Sequence, residues 1–389
     1  MKFAIVETVV TPGGHEIDYD RILVEELASL GHAVEFYVPA GHNFKWNYGV
    51  PVHYLPGSGV NYAGAKGLKK AGLALKREIN RRRWYQSMYQ NACERKFDAI
   101  IFPSATYRYL KGLHQTSLLK SPVPVLFIMH GLTPAEAKNT FVQAENVLQN
   151  PHIQIAVQTF AKEELQTNIA NIHYFSPPTY IPRDIEFVPE FKPHSPLRLG
   201  FFGQYRREKR LDLFLDICLS CDFKSPVQLI IQGATQTAAD AEDFQRIIDH
   251  YSQYKWITFI NKPLIGKEWQ QAISEIDAMM IPYSNPRYRY HTSAMLSTAI
   301  GFYKPVLIDN MINPEVLNDY KIGIDFDGND KNQLKSALEK FVNEFSENAS
   351  MYSQELKKAN EAFAPRKLAG QIAKIASEHQ NLQFNPKIT

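Results

Sequence analysis

The chain concentrates positive charge where a helix should begin. Arg206, Arg207, Lys209 and Arg210 place four cations within five residues. They follow Gly203, which closes an apolar run from Leu197 to Phe202 that suits a buried strand. From Leu211 a helical pattern continues through Leu213, Phe214 and Ile217. A strand, a glycine turn and a helix leave backbone N–H groups unpaired at the helix start. Those amides and the local dipole favour an anion, and the crowd of cations calls for a multiply charged one. The expectation is a phosphate or diphosphate site opening a second α/β domain. Two further places invite a ligand. Gly13-Gly14 sits at the turn after the first strand, where glycine lets a ligand approach the backbone closely. His130 ends the apolar run that starts at Pro124, at the C-terminal end of a parallel strand, where doubly wound sheets bind ligands. A histidine held there for structure is the competing reading.

Other chemical-looking arrangements carry less. Cys218 and Cys221 form a C-x-x-C, but inside a helical pattern and with no second pair, so packing explains them better than zinc. His15-Glu16 starts like a zinc-protease motif, but Tyr19 stands where its second histidine would be.

These residues need strands and helices to hold them, and the chain alternates the two. Phe3 to Val10 reads as a strand, followed by a helix with Ile22, Leu23, Leu27 and Leu30 on one face. Gly31-His32 ends that helix, and Ala33 to Val38 is the next strand. This is a βαβ unit without the full G-x-G-x-x-G, so a dinucleotide fingerprint is not supported. Residues 41–62 are rich in Gly, Asn, Pro and Tyr and read as irregular loop with at most one short strand. Phe97 to Pro103, Pro124 to His130, Ile153 to Val157 and Ile172 to Phe175 are further strands. Thr133-Pro134 starts a helix with a threonine cap and proline first, and another helix is expected from Ala161.

Six prolines between Pro177 and Pro196 make a stiff, extended connection, the best domain boundary in the chain. Beyond it, strands at Val227 to Gly233, Trp256 to Ile260, Asp277 to Tyr283 and Pro305 to Ile308 alternate with helices at 240–252, 268–276 and 293–300. Such alternation means parallel sheets with helices on both faces. The expected domains are 1–180 and 197–365, joined by a linker at 181–196. A last helix, 366–389, is expected to pack back on the N-terminal domain.

A length of 389 residues fits two domains of about 150–200 residues each. A net charge of +3 does not by itself call for a nucleic-acid partner, and three cysteines make a disulfide framework improbable. The N-terminus reads as a strand rather than a signal peptide, and no apolar run approaches the ~20 residues that span a bilayer. A cytoplasmic protein is expected, with contact at the inner membrane surface left open. One segment raises that question. From Lys66 to Arg83 there are eight Lys and Arg against one acid, Glu78, with Leu68, Leu73, Leu75 and Ile79 among them and Trp84-Tyr85 closing the run. It reads as a solvated helix covering the sheet, or as an interfacial surface for anionic lipid or an acidic acceptor. Nucleic acid is the weakest reading, because no known binding module surrounds the patch.

Taken together, Gly200 to Asp212, Asp277 to Tyr283, and Ser293 to Val306 resemble, in order and spacing, the donor-binding domain of GT-B glycosyltransferases of the retaining family-4 (group 1) type. The Gly13-Gly14 turn, Gly31-His32-Ala-Val, the His130-Gly131 strand end and the proline linker are similar too. The resemblance implies two Rossmann-like, doubly wound parallel-sheet α/β domains facing across a cleft. It implies that Lys209 grips the phosphates of a nucleotide sugar. Gln204 stands where the family has an arginine, so Arg206 or Arg207 supplies the second charge. The later helix begins at Thr292-Ser293, whose hydroxyls and amides can hold a phosphate or ribose oxygen. Tyr290 and Thr298 stand where the family often carries two glutamates. By the same resemblance His130 lies beside the donor sugar, and Gly13-Gly14 borders donor and acceptor. Gly203 and Gly233 line the donor side. Asp325-Phe-Asp327 looks like a metal-binding D-x-D, but its place matches a connecting loop and it reads as structural.

No cofactor or metal is expected, the cations and helix amides stabilising the leaving diphosphate electrostatically. No paired carboxylates announce a double displacement. What the resemblance implies is a sugar moved from a nucleotide diphosphate to a glycan, lipid-linked glycan or protein acceptor, with retention. Two alternatives stay open: a nucleotide-sugar epimerase on the same fold, which needs carboxylates and histidines converging in the site, and an inactive binding partner.

Overall fold

A computed structural model gives the structure of residues 1–9, 14–41, 48–61, 65–189, 191–380 and 382. The chain divides into two compact units, Met1–Pro177 together with the segment from Pro365 onward, and Pro178–Ala364.

In the first unit, β1 (Lys2–Val6), α1 (Gly14–Ser29), β2 (Ala33–Ala40) and β3 (Val52–Ser58) are followed by the long helix α2 (Gly67–Cys93). Then come β4 (Ala99–Phe102), α3 (Tyr107–Leu113), β5 (Val125–Met129), α4 (Pro134–Val147), β6 (Ile153–Gln158) and β7 (Ile172–Phe175). The strands form one sheet in the order β3-β2-β1-β4-β5-β6-β7, every pair parallel. Connections leave β1 in one direction through β2 to β3 and return to its other side at β4. The switch point of the sheet therefore lies between β1 and β4. Central strands β4, β5 and β6 are buried along their whole length, which is why they read as continuous apolar runs.

The second unit holds β8 (Leu197–Phe201), α5 (Leu211–Ser220), β9 (Val227–Gln232), α6 (Ala238–Tyr251), β10 (Ile257–Ile260), α7 (Lys267–Ser274) and β11 (Ala278–Ile281). After these come α8 (Ala294–Gly301), β12 (Val306–Asp309), α9 (Pro314–Asp319), β13 (Gly323–Phe326), α10 (Lys331–Asn343) and α11 (Phe345–Ala362). Its parallel sheet runs β10-β9-β8-β11-β12-β13, with the switch point between β8 and β11. The last helix, α12 (Pro365–Gln380), belongs to the first unit. Its Ile372, Ile375 and Ala376 lie with Phe3, Ile100 and Leu126 around a small apolar cavity against the sheet.

Three elements differ from expectation, the first being β1, which ends at Val6 although the strand is expected to run to Val10. Instead of a helix from Ala161 there is a single 3-10 turn, Lys162–Leu165, because Leu165 is its one buried side chain and Gln166 already turns extended. The one short strand allowed for in residues 41–62 is present as β3, an edge strand with only Leu55 buried. β13 contains Asp325 and Phe326, so the Asp325-Phe-Asp327 triplet straddles a strand end rather than filling a loop. Its Asp327 Oδ1 accepts from Asn329 N at 2.9 Å.

The proline-rich segment is tied down. Its prolines lack N–H groups, and buried side chains take several of those that remain. Gln270 Oε1 accepts from Arg183 N and Asp184 N at 2.8 and 2.7 Å. Asp277 accepts from His194 N at 3.1 Å and from Arg198 N at 2.8 Å.

Candidate functional site

The second unit builds an anion-receptive pocket at the C-terminal ends of β8 and β11, the position at which open parallel sheets bind ligands. After β8 the chain turns at Gly203, whose φ of +102° suits glycine. Its N–H donates to Gln232 Oε1 at 3.0 Å, and Gln232 Nε2 donates to Lys262 O at 2.7 Å. A side chain at Gly203 would begin 3.4 Å from Met295 Sδ and 3.7 Å from Lys209 Nζ. The bare glycine thus leaves room beside the lysine ammonium and the first turn of α8.

Lys209 is 6% exposed. Its ammonium lies 4.9 Å from the Tyr283 ring centroid and 5.6 Å from that of Phe201. Among the described residues it has neither an ion-pair partner nor a hydrogen-bond acceptor. Burial, aided by the charge of Arg206 and opposed by Glu208, pulls its pKa down to about 7. A buried charge without a partner is costly, and an incoming anion would relieve that cost.

Beside it, Ser293 caps α8, its Oγ accepting from Leu296 N at 3.3 Å. Asn313 Oδ1 accepts from Ser293 N at 3.0 Å, and Asn313 Nδ2 donates to the carbonyls of Tyr288 and His291. Tyr283, at the end of β11, is buried, and burial raises its pKa, with the Ser293 hydroxyl and the Arg206 charge acting against the rise. Thr292 Oγ1 is buried and has no hydrogen-bond partner among the described residues. A buried hydroxyl at the start of the helix whose Met295 shares the space beside Gly203 with the Lys209 ammonium suits an oxyanion ligand.

The remaining expected donor residues separate. Arg206 stays close enough to act on both Lys209 and Tyr283, and Gln204 Oε1 accepts from its guanidinium at 3.3 Å. Arg207 turns to α6, pairing with Asp243 at 3.6 Å and donating to Ala239 O. Thr298 spends its hydroxyl on Ala294 O at 2.8 Å, inside its own helix. A side chain at Gly233 would begin 2.6 Å from the Phe244 ring, so that glycine makes room for the packing of α6.

In the first unit, His130 lies just beyond β5. Its Nε2 pairs with Pro103 O at 2.8 Å, which makes that nitrogen the protonated one, and Tyr19 meets its ring edge-on at 4.5 Å. The threonine cap expected at Thr133-Pro134 forms, and Thr133 and Glu136 bond reciprocally as a capping box. Gly14 opens α1, whereas Gly13 lies outside the described residues.

The sequence did not point to the carboxylates there. Glu7, at the end of β1, is 3% exposed, accepts from Ser104 Oγ at 2.7 Å and Val9 N at 2.6 Å, and has its pKa pushed up to about 7, chiefly by burial. Asp20 is equally buried, its Oδ1 has no hydrogen-bond partner among the described residues, and its pKa is held well above the ordinary value by burial and by the charges of Glu7 and Glu16. A carboxyl that titrates near neutral pH, as Glu7 does, can donate a hydrogen bond or exchange a proton at the β1/β4 switch point. The only sequence signal was a lone acid, Glu7, inside the apolar run expected as the first strand.

No protein-family model matches the sequence, and no curated protein matches it. Solved structures share its architecture. HepE from Anabaena, solved with UDP-glucose, is 14% identical, with 97% of this chain and 100% of that one covered at a TM-score of 0.64. Sucrose-phosphate synthase from Thermosynechococcus elongatus is 13% identical, covering 97% and 98%, at 0.67. WaaG, a glycosyltransferase involved in lipopolysaccharide biosynthesis, is 14% identical, covering 97% and 99%, at 0.62. At such identities the likeness establishes the fold: two parallel-sheet α/β units of GT-B type.

Proposed function

We propose that this GT-B-fold chain is a glycosyltransferase that takes its sugar from a nucleotide diphosphate. The observation that carries the reading is Lys209, a buried ammonium with no ion-pair partner among the described residues, beside the bare Gly203 and the start of α8. It is supported by structural neighbours solved with UDP and with UDP-glucose. In this reading the diphosphate sits on Lys209, Arg206 and the amides after Ser293. The bond from the anomeric carbon to the phosphate oxygen breaks, and the acceptor oxygen bonds to that carbon from the same face. The acceptor proton passes to the departing phosphate, giving retention. The cations and helix amides carry the developing negative charge without a metal. His130 orients the sugar. The acceptor is a glycan, a lipid-linked glycan or a protein, in the cytoplasm, with peripheral contact at the inner membrane face through the basic stretch 66–84.

Melting the protein with UDP-, GDP- and ADP-sugars tests the reading. One of them should raise the melting temperature and then support transfer to an acceptor pool. Absence of any shift would remove the donor assignment.

Glu7 and Asp20 favour a second reading, a nucleotide-sugar epimerase, because they supply the carboxylates such chemistry requires. Incubating the stabilising nucleotide sugar alone separates the two. An epimer or free nucleotide appearing without acceptor, abolished in Glu7→Gln, would favour epimerisation.

A further inference from the structure

The first half of α2 carries an amphipathic face that the protein itself does not use. Its C-terminal half is anchored: Asn80, Arg81, Trp84, Tyr85, Met88 and Ala92 are buried. Asn80 Nδ2 donates to Ser58 O at 2.6 Å, and the Arg81 guanidinium lies 4.4 Å over the Tyr109 ring while donating to Arg108 O. Arg81 is 2% exposed and so is not part of any surface, although its sequence neighbours suggested that it was. The N-terminal half is different, with every residue from Gly67 to Gly72 exposed.

Large apolar side chains lie on the outward side. Leu68 is 93% exposed, Leu75 64% and Ile79 45%. At 3.6 residues per turn these three fall within about 40° of one another and roughly opposite the anchored face. Lys69, Lys76 and Arg83 flank them on one side and Arg82 on the other, all exposed. The lone acid of the segment, Glu78, is engaged by Arg77 and Arg81. A stripe of leucine and isoleucine with a row of cations along one side and Arg82 on the other matches a bilayer boundary, with acyl chains beneath and anionic headgroups alongside. A nucleic acid would satisfy the cations but leave the apolar centre without a partner.

We infer that the outward face of α2, centred on Leu68, Leu75 and Ile79, docks on an anionic lipid surface. The inference rests on the peripheral contact included in the proposed function and specifies its surface. Docking there places the first unit against lipid through an anchored helix, and Tyr109, stacked under Arg81, bonds Thr8 Oγ1 at 2.5 Å, next to Glu7. The acceptor best served by such an arrangement is a lipid-linked one.

Flotation of the full-length protein tests this, without any nucleotide sugar, so that its failure and failure of the transferase reading remain distinguishable. Vesicles of phosphatidylglycerol and phosphatidylcholine in equal parts should carry the protein up, those of phosphatidylcholine alone should not, and added salt should release it. Two triple variants separate the forces, Leu68→Ser/Leu75→Ser/Ile79→Ser and Lys69→Gln/Lys76→Gln/Arg83→Gln. Each alters only exposed side chains, so melting temperature should hold while vesicle partitioning falls by about tenfold or more. Wild-type protein that stays in the dense fraction would overturn the proposal. So would an apolar variant that floats like wild type, or one that binds RNA as well as wild type while only the charge variant loses both ligands.

Discussion

At the scale of single residues, Lys209 makes a demand of sign. Its pKa of about 7 lies below the ordinary 10.5, so the folded state binds fewer protons than the unfolded one between those values. Stability should therefore rise with pH across that window, and the buried ammonium should weigh most at and below about pH 7. Replacing it with an apolar side chain of similar length, Lys209→Met, should raise the melting temperature of the free protein near pH 7, by an amount that shrinks toward pH 10. The same change should remove a diphosphate contact of roughly 1.5–3 kcal/mol. Thermal melts with and without UDP across this range read both effects. A variant less stable than wild type at pH 7 would mean that Lys209 has a counter-charge already. Glu7 gives the opposite trend. Its folded pKa of about 7 exceeds the ordinary 4.5, so its contribution is full below 4.5 and is lost as pH rises through 7. Glu7→Gln should flatten that decline, and if Glu7 moves a proton, activity should lose an inflection near pH 7. An unchanged melting profile in the variant would remove Glu7 from the buried, protonated class.

At the scale of elements, what the sequence made legible was local. A strand, Gly203 and a cationic turn lie within the fourteen consecutive residues from Leu197 to Arg210, and the cap at Ser293 directly precedes its helix, so neighbours in sequence are neighbours in space. Tyr283 and Gln232 join Lys209 only because β11 and β9 flank β8. Glu7 meets Ser104, 97 residues away, only because β1 pairs with β4. Topology brings such residues together, and no spacing announces them. Arg81 was misread for a related reason: composition cannot separate an arginine buried over Tyr109 from one in water. Edge strands β3 and β13 were faint because each buries a single residue, Leu55 in β3 and Phe326 in β13. Asp277 tests how an element end is tied. It is buried and holds the N–H groups of His194 and Arg198, together with His194 Nδ1 at 2.8 Å. Asp277→Ala would strand two backbone donors and should destabilise the second unit by about 1–3 kcal/mol per donor left buried. Chemical denaturation monitored in that unit checks it; a loss under 0.5 kcal/mol, the ordinary range for a surface change, would show that water replaces the carboxylate.

At the scale of the whole molecule, the return of the chain to its first unit matters more than the boundary at the prolines. Residues 178–364 form a unit that contains Lys209, Gly203 and Ser293, whereas α12 completes the other unit. Leu368, Ile372, Ile375 and Ala376 of α12 are all buried. Fully burying a leucine or isoleucine is worth about 1.5–3 kcal/mol. The three large side chains together therefore contribute roughly 4–9 kcal/mol, against a typical domain stability of about 5–15 kcal/mol. Losing α12 would consequently remove a large share of what holds the first unit folded, and would also uncover apolar surface at Phe3, Ile100 and Leu126. A chain ending at Ala364 should lose the cooperative transition of its first unit, or melt it at far lower temperature, while the second unit still gains stability from UDP. Hydrogen exchange resolves the two units in one sample: protection should collapse in β1, β4 and β5 and persist in β8, β9 and β11. Equal loss of protection in both would mean that the second unit depends on the first for its fold, and retained protection in β1 would show that α12 only covers a sheet already stable without it.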